Sequence, residues 1–128
     1  MDPIADMLNR IRNAQAVLKP AVDFAYSNLK YEIGKILEKE KLIQKIEKKG
    51  RKGKKIIEIT LKYEAGLPVI SGLKRISKLG QRIYTKSREM KPVRGGYGIA
   101  IISTPEGLMT NKQARKRKLG GEIICEIW

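Results

Sequence analysis

The sequence predicts an α+β protein built from two small domains. In the first half, apolar residues recur at helical spacing in two segments and alternate with polar residues in a third, which is typical of helices and a strand pair. In the second half, short apolar segments are separated by glycine, which indicates a β-rich unit. The change falls at Gly66-Leu67-Pro68. We therefore predict a helix–strand–helix–hairpin domain over residues 1–66 and a mostly antiparallel β domain with one short helix over residues 67–128.

The first helix is predicted to begin at Asp2-Pro3, because aspartate is a good N-cap and proline is tolerated at the first helical position. It should end before Pro20, since the residue preceding a proline disfavours the helical conformation. Val22–Ala25 then reads as a short strand. The buried face of the helix is predicted to carry Ile4, Met7, Leu8 and Ile11.

A second helix and a hairpin complete the first domain. Ser27 is a suitable N-cap, and the hairpin strands are Leu42–Lys48 and Lys55–Tyr63. Residues 49–54 form a short link that contains glycine and is densely basic. The alternation of apolar and polar residues in the second strand indicates that only one face of the pair is covered. On the second helix we predict a buried face of Leu29, Ile33, Ile36 and Leu37.

The second domain is predicted from its apolar segments and one helix. Thr110 and Gln113 have the spacing of a capping box, which starts a basic helix over about Asn111–Lys118. Gly95-Gly96-Tyr97-Gly98 is expected to be the tight turn entering the central strand. The predicted strands are Val69–Leu73, Arg82–Thr85, Ile99–Ser103 and Glu122–Ile127.

The charge of the chain points to a polyanionic partner. The net charge is +15, and residues 41–128 contain 22 basic and seven acidic residues. A surface of ion-pair networks, as in thermostable proteins, would need both signs in balance. An anionic membrane is less favoured, because no long apolar basic helix is present. Nucleic acid is therefore the predicted partner.

Enzymatic chemistry is not expected. The chain has no histidine, the commonest general base and metal ligand. Gly50–Lys54 lacks the spacing and the following helix of a nucleotide-binding loop. The single cysteine, Cys125, lies in an apolar run and is predicted to be core. We expect no cofactor, no metal and no small-molecule substrate. Without a visible signal peptide or membrane span, a reducing, cytoplasmic location is expected.

The segment after the apolar run Ile99–Ile102 is the predicted recognition element. Ser103 and Thr104 offer hydroxyl groups at the strand end, and Gly107 permits close approach of a ligand to the backbone. The aromatic residues look scattered, which argues against a stacking platform for single strands. This favours recognition of a structured RNA by its shape, its backbone and a few hydrogen bonds. Tyr84 alternates with basic residues and fits an RNA-facing or a half-buried position equally well.

Over its whole length the sequence resembles the bacterial form of the small-subunit ribosomal protein eight family. The opening residues 2–13, from Asp2-Pro3-Ile4-Ala5-Asp6 to Arg12-Asn13, are characteristic of that family. So are Gly72–Ser77 and Gly80–Tyr84. The most specific element is Gly98–Ala114, followed by Gly120-Gly121-Glu122. Two departures are Pro105, where serine is common, and Asn9, where serine or threonine is frequent.

The resemblance implies a primary binder of 16S ribosomal RNA that docks on the central domain and helps to assemble the platform of the small subunit. It also implies contacts with small-subunit ribosomal proteins five and twelve, and repression of the family's own operon through a messenger RNA mimic in some bacteria. The alternatives are a free-standing regulatory RNA or DNA binder and a scaffold held by proteins alone. The predicted RNA-binding residues are Ser103, Thr104, Gly107, Tyr84, Lys86, Glu122, Lys30, Lys52, Lys54, Lys112 and Arg115.

Overall fold

The computed structural model describes residues 2–128, without the side chain of Arg51. It confirms the predicted α+β class. Contacts divide the chain into a first unit, Pro3–Ile70, and a second unit, which is Ser71–Trp128 together with Asp2. The division therefore lies four residues after the boundary that the sequence predicts. No helix in residues 2–128 is long and apolar enough to cross a membrane.

The first unit has the predicted helix–strand–helix–hairpin order. Its three long strands form an antiparallel sheet in the order β1–β3–β2. On β3, Ile57, Ile59 and Leu61 are buried while the residues between them are half-buried, so one face of the sheet is covered as predicted. The elements are α1 (Pro3–Ala16), β1 (Ala21–Ala25), α2 (Asn28–Lys39), β2 (Ile43–Arg51), β3 (Lys54–Leu61), β4 (Tyr63–Glu64) and β5 (Leu67–Pro68).

The hairpin link is shorter than the sequence suggests. The predicted six-residue link over residues 49–54 is wrong, because β2 continues to Arg51 and β3 begins at Lys54. Only Lys52 and Gly53 form the turn, and both have positive φ, at 50° and 79°. Two consecutive residues of this kind match the right-handed twist of the strands. The lysine-rich composition hid the strand ends. Lysine is uncommon in strands on average, but the pairing of the two strands decides the structure here.

On α2, Leu29, which was predicted to be buried, is exposed, and Lys30, which was predicted to bind RNA, is buried. Leu29 is 39% exposed, whereas Lys30 is 9% exposed. A Cβ atom on Gly34 would overlap the Ile46 side chain, so the helix packs on the sheet through this glycine. The buried face is therefore centred between Ile33 and Gly34. Lys30 falls on that side of the helix and Leu29 falls beside it.

The second unit is a five-stranded antiparallel sheet with one α-helix. β10 lies in its centre and pairs with β6, β7 and β8, while β9 pairs with β8. The predicted strand at Val69–Leu73 is misplaced, and the hairpin partner β9 was not predicted at all. The elements are β6 (Leu73–Arg75), β7 (Tyr84–Thr85), β8 (Ile99–Thr104), β9 (Gly107–Thr110), α3 (Asn111–Lys116) and β10 (Gly121–Ile127), with 3-10 turns at Ser87–Glu89 and Arg94–Gly96.

One face of this sheet packs on α3 and on the segment that precedes β8. Asn111 is buried and fixes this packing, since its side chain accepts a hydrogen bond from the Ala100 N–H at 3.1 Å and donates one to the Lys91 carbonyl at 3.2 Å. Asn111 therefore ties the start of α3 to β8 and to the segment that precedes β8. The buried cluster comprises Met90, Val93, Ala100, Ile102, Met109 and Ala114, with Leu119 and Ile123 packed against it.

Cys125 is fully buried, as predicted, and burial raises the pKa of its thiol from 9.0 to about 12. The folded-state pKa is above that of the unfolded chain, so the contribution of this group to stability is complete below about pH 9 and declines as the pH rises toward 12.

We expect Cys125→Ala to flatten the fall of unfolding free energy above about pH 9, measured by urea titration. We also expect the native thiol to resist alkylation until the protein unfolds. Alkylation equally fast with and without urea would contradict this.

Candidate nucleic-acid interface

Four strands of the second unit come together at one end of its sheet, and three predicted RNA-binding residues form a row across them. Tyr84 of β7 lies opposite Glu122 of β10, and Glu122 lies opposite Ser103 of β8. Ser103 in turn lies opposite Leu108 of β9. Residues opposite each other in antiparallel strands project from the same face. The row therefore presents a phenol, a carboxylate and a hydroxyl side by side.

Gly120, directly before β10, and Gly121, its first residue, allow the row to form. A Cβ atom on Gly121 would collide with the Ser103 carbonyl oxygen, and one on Gly120 would lie 2.7 Å from the Thr85 carbonyl oxygen. Both obstacles are backbone atoms, which cannot move without shifting their strands. The strands that hold Ser103 and Tyr84 can approach β10 this closely only because side chains are missing here.

The two hydroxyl residues that end β8 do different things. The Thr104 hydroxyl is 3.1 Å from the Glu106 N–H, from which it accepts a hydrogen bond, and it donates one to the Gly107 carbonyl at 2.8 Å. It therefore shapes the β8–β9 turn, and Thr104 is only 8% exposed. Ser103 is half-buried, and its hydroxyl forms no hydrogen bond with any other residue in the described part of the chain. Of the two, only the Ser103 hydroxyl is available to a ligand.

Gly107 completes the turn with a φ of 109°, a conformation that favours glycine. It is exposed, and nothing lies within 4 Å of the position that a Cβ atom would take. Close approach of a ligand to this backbone is therefore unobstructed, as the sequence predicted. Pro105 and Glu106 are exposed at the same turn.

Tyr84 and Glu122 differ in their exposure. The Tyr84 residue is 69% exposed, which favours the outward orientation of the two that its sequence context allowed. The Glu122 side chain is 18% exposed, and its carboxylate lies 3.1 Å from the guanidinium of Arg82. This ion pair reduces the repulsion that a carboxylate would exert on a phosphate backbone. The free lone pairs of Glu122 can still accept a hydrogen bond from a ribose hydroxyl or a base amine.

Ser77 holds the loop before β7 in place, a role that sequence patterns did not suggest. It is fully buried, accepts a hydrogen bond from the Ile83 N–H at 2.9 Å and donates one to the Ile83 carbonyl at 3.3 Å. Because Ile83 precedes Tyr84 directly, this pair of bonds fixes the start of β7. A lone serine in a loop carries no sequence signal for such a clamp.

Exposed basic residues lie on α3 and directly after β7. The capping box predicted for α3 is confirmed: the Thr110 hydroxyl accepts from the Gln113 N–H at 3.2 Å, and the Gln113 side chain accepts from the Thr110 N–H at 3.0 Å. Lys112 and Arg115 on this helix are exposed, and so is Lys86 after β7. Such exposed cations suit phosphate contacts.

The remaining three predicted residues lie in the first unit. Lys52 and Lys54 are exposed at the tip of the β2–β3 hairpin. Lys30 is buried, with its ammonium 5.9 Å from the centre of the Phe24 ring. Lys30 therefore lacks the open surface that its predicted role requires, because the buried face of α2 includes it.

Comparison with known proteins decides which family the chain represents. The family model described as ribosomal protein S8 matches residues 2–128. The chain belongs to the ribosomal protein S8 family. Members of the S8 family are structural components of the ribosome and not enzymes, in agreement with the prediction from the sequence. Within the described residues, no group of three or more histidine, cysteine or acidic side chains is placed to hold a metal ion.

Relatives in the S8 family match almost end to end. Small ribosomal subunit protein uS8 of Caldanaerobacter subterraneus subsp. tengcongensis is 52% identical, with 99% of this chain and 97% of that protein aligned. The uS8 proteins of Clostridioides difficile and Petrotoga mobilis are 49% and 46% identical, with 99% of this chain and 97% and 98% of theirs aligned. The resemblance inferred from sequence motifs is thus confirmed.

Proposed function

We propose that this protein is a primary binder of small-subunit ribosomal RNA, that it docks on the central domain of 16S RNA in the cytoplasm, and that it helps to assemble the platform. The observation that supports this most directly is the unbonded Ser103 hydroxyl between the exposed Tyr84 and the β8–β9 turn. A hydroxyl fixed on a rigid strand can meet one RNA group with little loss of entropy. Family membership adds independent support.

Each group in the row has a distinct role in this proposal. The Ser103 hydroxyl bonds a base edge or a ribose, and an unstacked base rests on the Tyr84 ring. The Glu122 carboxylate accepts a hydrogen bond from a ribose 2′-hydroxyl, a group that RNA has and DNA lacks. Lys86, Lys112 and Arg115 contact phosphates and set the register of the protein on its RNA.

Ser103→Ala and Thr104→Val should separate recognition from stability. Ser103→Ala loses one hydrogen bond to RNA, so affinity should fall by about 1 kcal/mol, roughly fivefold, with unchanged stability. Thr104→Val removes the hydroxyl that bonds the Glu106 N–H and the Gly107 carbonyl, and the loss of these two hydrogen bonds should lower the unfolding free energy by about 1–3 kcal/mol. RNA titrations and urea unfolding check both variants. If Ser103→Ala binds as tightly as the wild type, the row does not read RNA.

Chemical footprinting of the 16S central domain tests the site as a whole. The purified protein should protect a compact set of nucleotides, and Ser103→Ala should weaken that protection without moving it. An unrelated RNA hairpin of equal length serves as the control. Equal affinity for the two RNAs would reject a specific ribosomal role and favour a non-specific binder.

The proposal extends to the partners that the family resemblance implies. Small-subunit ribosomal proteins five and twelve would be neighbours in the assembled subunit. A messenger RNA from the protein's own operon could occupy the same row only if it presented the same shape, so such an RNA should compete with the 16S fragment. A free-standing regulator, in contrast, would not co-sediment with small subunits from a lysate washed at high salt.

A further inference from the structure

The first unit contains a cluster of aromatic rings and ammonium groups that the sequence did not reveal. We call Tyr26, Tyr31, Lys48 and Lys55 the tyrosine–lysine cluster. The two tyrosine rings lie 6.1 Å apart between centroids, at an interplanar angle of 39°. The Lys48 ammonium lies 4.4 Å from the centroid of Tyr31 and 5.4 Å from that of Tyr26. The Lys55 ammonium lies 5.9 Å from the centroid of Tyr26.

Strand pairing explains how these residues meet. The Tyr26 N–H donates to the Lys55 carbonyl at 3.0 Å, just beyond the last β1–β3 pair. Lys48 lies opposite Ile57, which in turn lies opposite Phe24 of β1. The cluster therefore continues the face of the sheet that carries these buried residues, toward the tip of the hairpin. Tyr31, in the first half of α2, reaches the same place.

The two lysines of the cluster lack counterions. In the described part of the chain, neither Lys48 nor Lys55 forms a salt bridge. Other lysines of the same unit do: Lys49 pairs with Glu58 at 2.8 Å, and Lys45 with Glu47 at 3.1 Å. Packing of aliphatic stems over the rings explains why one lysine would lie there. It does not explain two unpaired ammonium groups around one ring, because like charges repel.

The surface chemistry points to phosphate as the ligand. The negative ring faces hold the ammonium groups near each other, and an anion between or above them would remove their repulsion. Since Lys48 lies over one face of each ring, that face is closed to a stacking base. The exposed Lys52 and Lys54 follow in the same hairpin and extend the positive surface. We propose that the tyrosine–lysine cluster binds phosphates of the RNA backbone, which rests on the proposed function in that the polyanion is RNA.

Charge removal with a matched control tests the proposal. The Lys48→Gln/Lys55→Gln variant should bind a 16S central-domain transcript and an unrelated 20-base-pair RNA duplex about tenfold more weakly at low salt, and the salt slope should flatten by about 2 on the duplex. The control is Lys39→Gln/Lys41→Gln, which removes two exposed charges from the same unit. An equal loss in both variants would mean that only net charge matters, and would overturn the site.

A second variant pair tests the rings. Tyr26→Leu/Tyr31→Leu keeps every charge but releases the lysines, so affinity should fall about threefold, as expected when preorganisation is lost. Tyr26→Phe/Tyr31→Phe keeps the ring faces and should bind as the wild type does. If the leucine variant binds normally, the rings are not part of the site. If that variant does not fold, acetylation of lysines in the wild-type protein decides, because RNA should protect Lys48 and Lys55 but not Lys39 and Lys41.

The outcomes also separate this proposal from the ribosomal one. Equal affinity of the wild type for the two RNAs would reject specific 16S recognition, while a flatter slope in the Lys48→Gln/Lys55→Gln variant would still support the cluster. A normal preference for the 16S transcript with no effect of the cluster variants would reject the cluster alone. Stronger binding of the wild type to vesicles of anionic phospholipid than to either RNA, lost in the cluster variant, would assign the surface to a membrane and overturn the proposal.

Discussion

Gly121→Ala should destabilise the protein by about 3 kcal/mol and lower its melting temperature by roughly 10 °C, because one added methyl group meets a backbone oxygen that cannot yield alone. The Cβ atom would collide with the Ser103 carbonyl, so β8 and β10 would have to separate at the end of the sheet where the row lies. Strand propensity predicts the opposite, since alanine is more favourable than glycine inside a strand. RNA affinity should fall together with stability, because Ser103 and Glu122 flank the distortion.

Gly80→Ala is the matched control for this substitution. Gly80 is exposed, and nothing lies within 4 Å of the position of its Cβ atom. The same change in composition should therefore leave unfolding and RNA binding almost unaffected. Urea unfolding of both variants, followed by RNA titration under folding conditions, makes the comparison. A Gly121→Ala protein as stable as Gly80→Ala would show that the contact of β8 with β10 is less strict than the geometry indicates.

The second large effect concerns salt. If about five phosphates are neutralised, the logarithm of the affinity should fall with the logarithm of the salt concentration with a slope near −4, which corresponds to roughly 250-fold between 50 and 200 mM salt. The net charge of +15 motivates this expectation, since its whole excess lies in residues 41–128. Filter binding or fluorescence anisotropy at four salt concentrations measures the slope.

Two sets of variants identify the source of the slope. Lys52→Gln/Lys54→Gln should flatten it by about 2 and weaken cognate and unrelated RNA alike, since phosphate contacts carry little sequence information. Ser103→Ala should leave the slope unchanged and reduce only the cognate affinity. A slope near zero for the wild-type protein would refute the electrostatic part of the proposal. Reversed behaviour of the two variants would place specificity at the hairpin instead of the row.

Local sequence signals predicted much of the fold. The capping box at Thr110, the N-cap at Ser27 and the alternation in β3 depend on neighbouring residues, and all three have the predicted structure. Strand β9 escaped prediction because Gly107–Thr110 is short and joins β8 through a tight turn. The positions of Leu29 and Lys30 were predicted wrongly, because they depend on how Gly34 packs against Ile46.

The candidate site was predicted by residue type but not by geometry. The sequence indicated Ser103 and Thr104 equally, and only the turn shows that the Thr104 hydroxyl is engaged. The tyrosine–lysine cluster was missed because its members come from the residue after β1 and from α2, β2 and β3. Tyr26 and Lys48 are 22 positions apart, and pairing in the sheet brings them together. Patterns along the chain cannot express such a contact.

The central position of β10 has a consequence for the order in which the protein forms on the ribosome that makes it. Its partners β6, β7 and β8 are all translated before it, so each lacks its main hydrogen-bonding neighbour until β10 has emerged. At about 5–20 residues per second, the 45 residues between Arg75 and Gly121 correspond to roughly 2–9 s of synthesis. The first unit pairs strands that are close in sequence, β2 with β3 above all, and can form earlier. The nascent second unit therefore exposes unpaired strand edges for seconds, a period in which chaperones or an RNA partner would protect it.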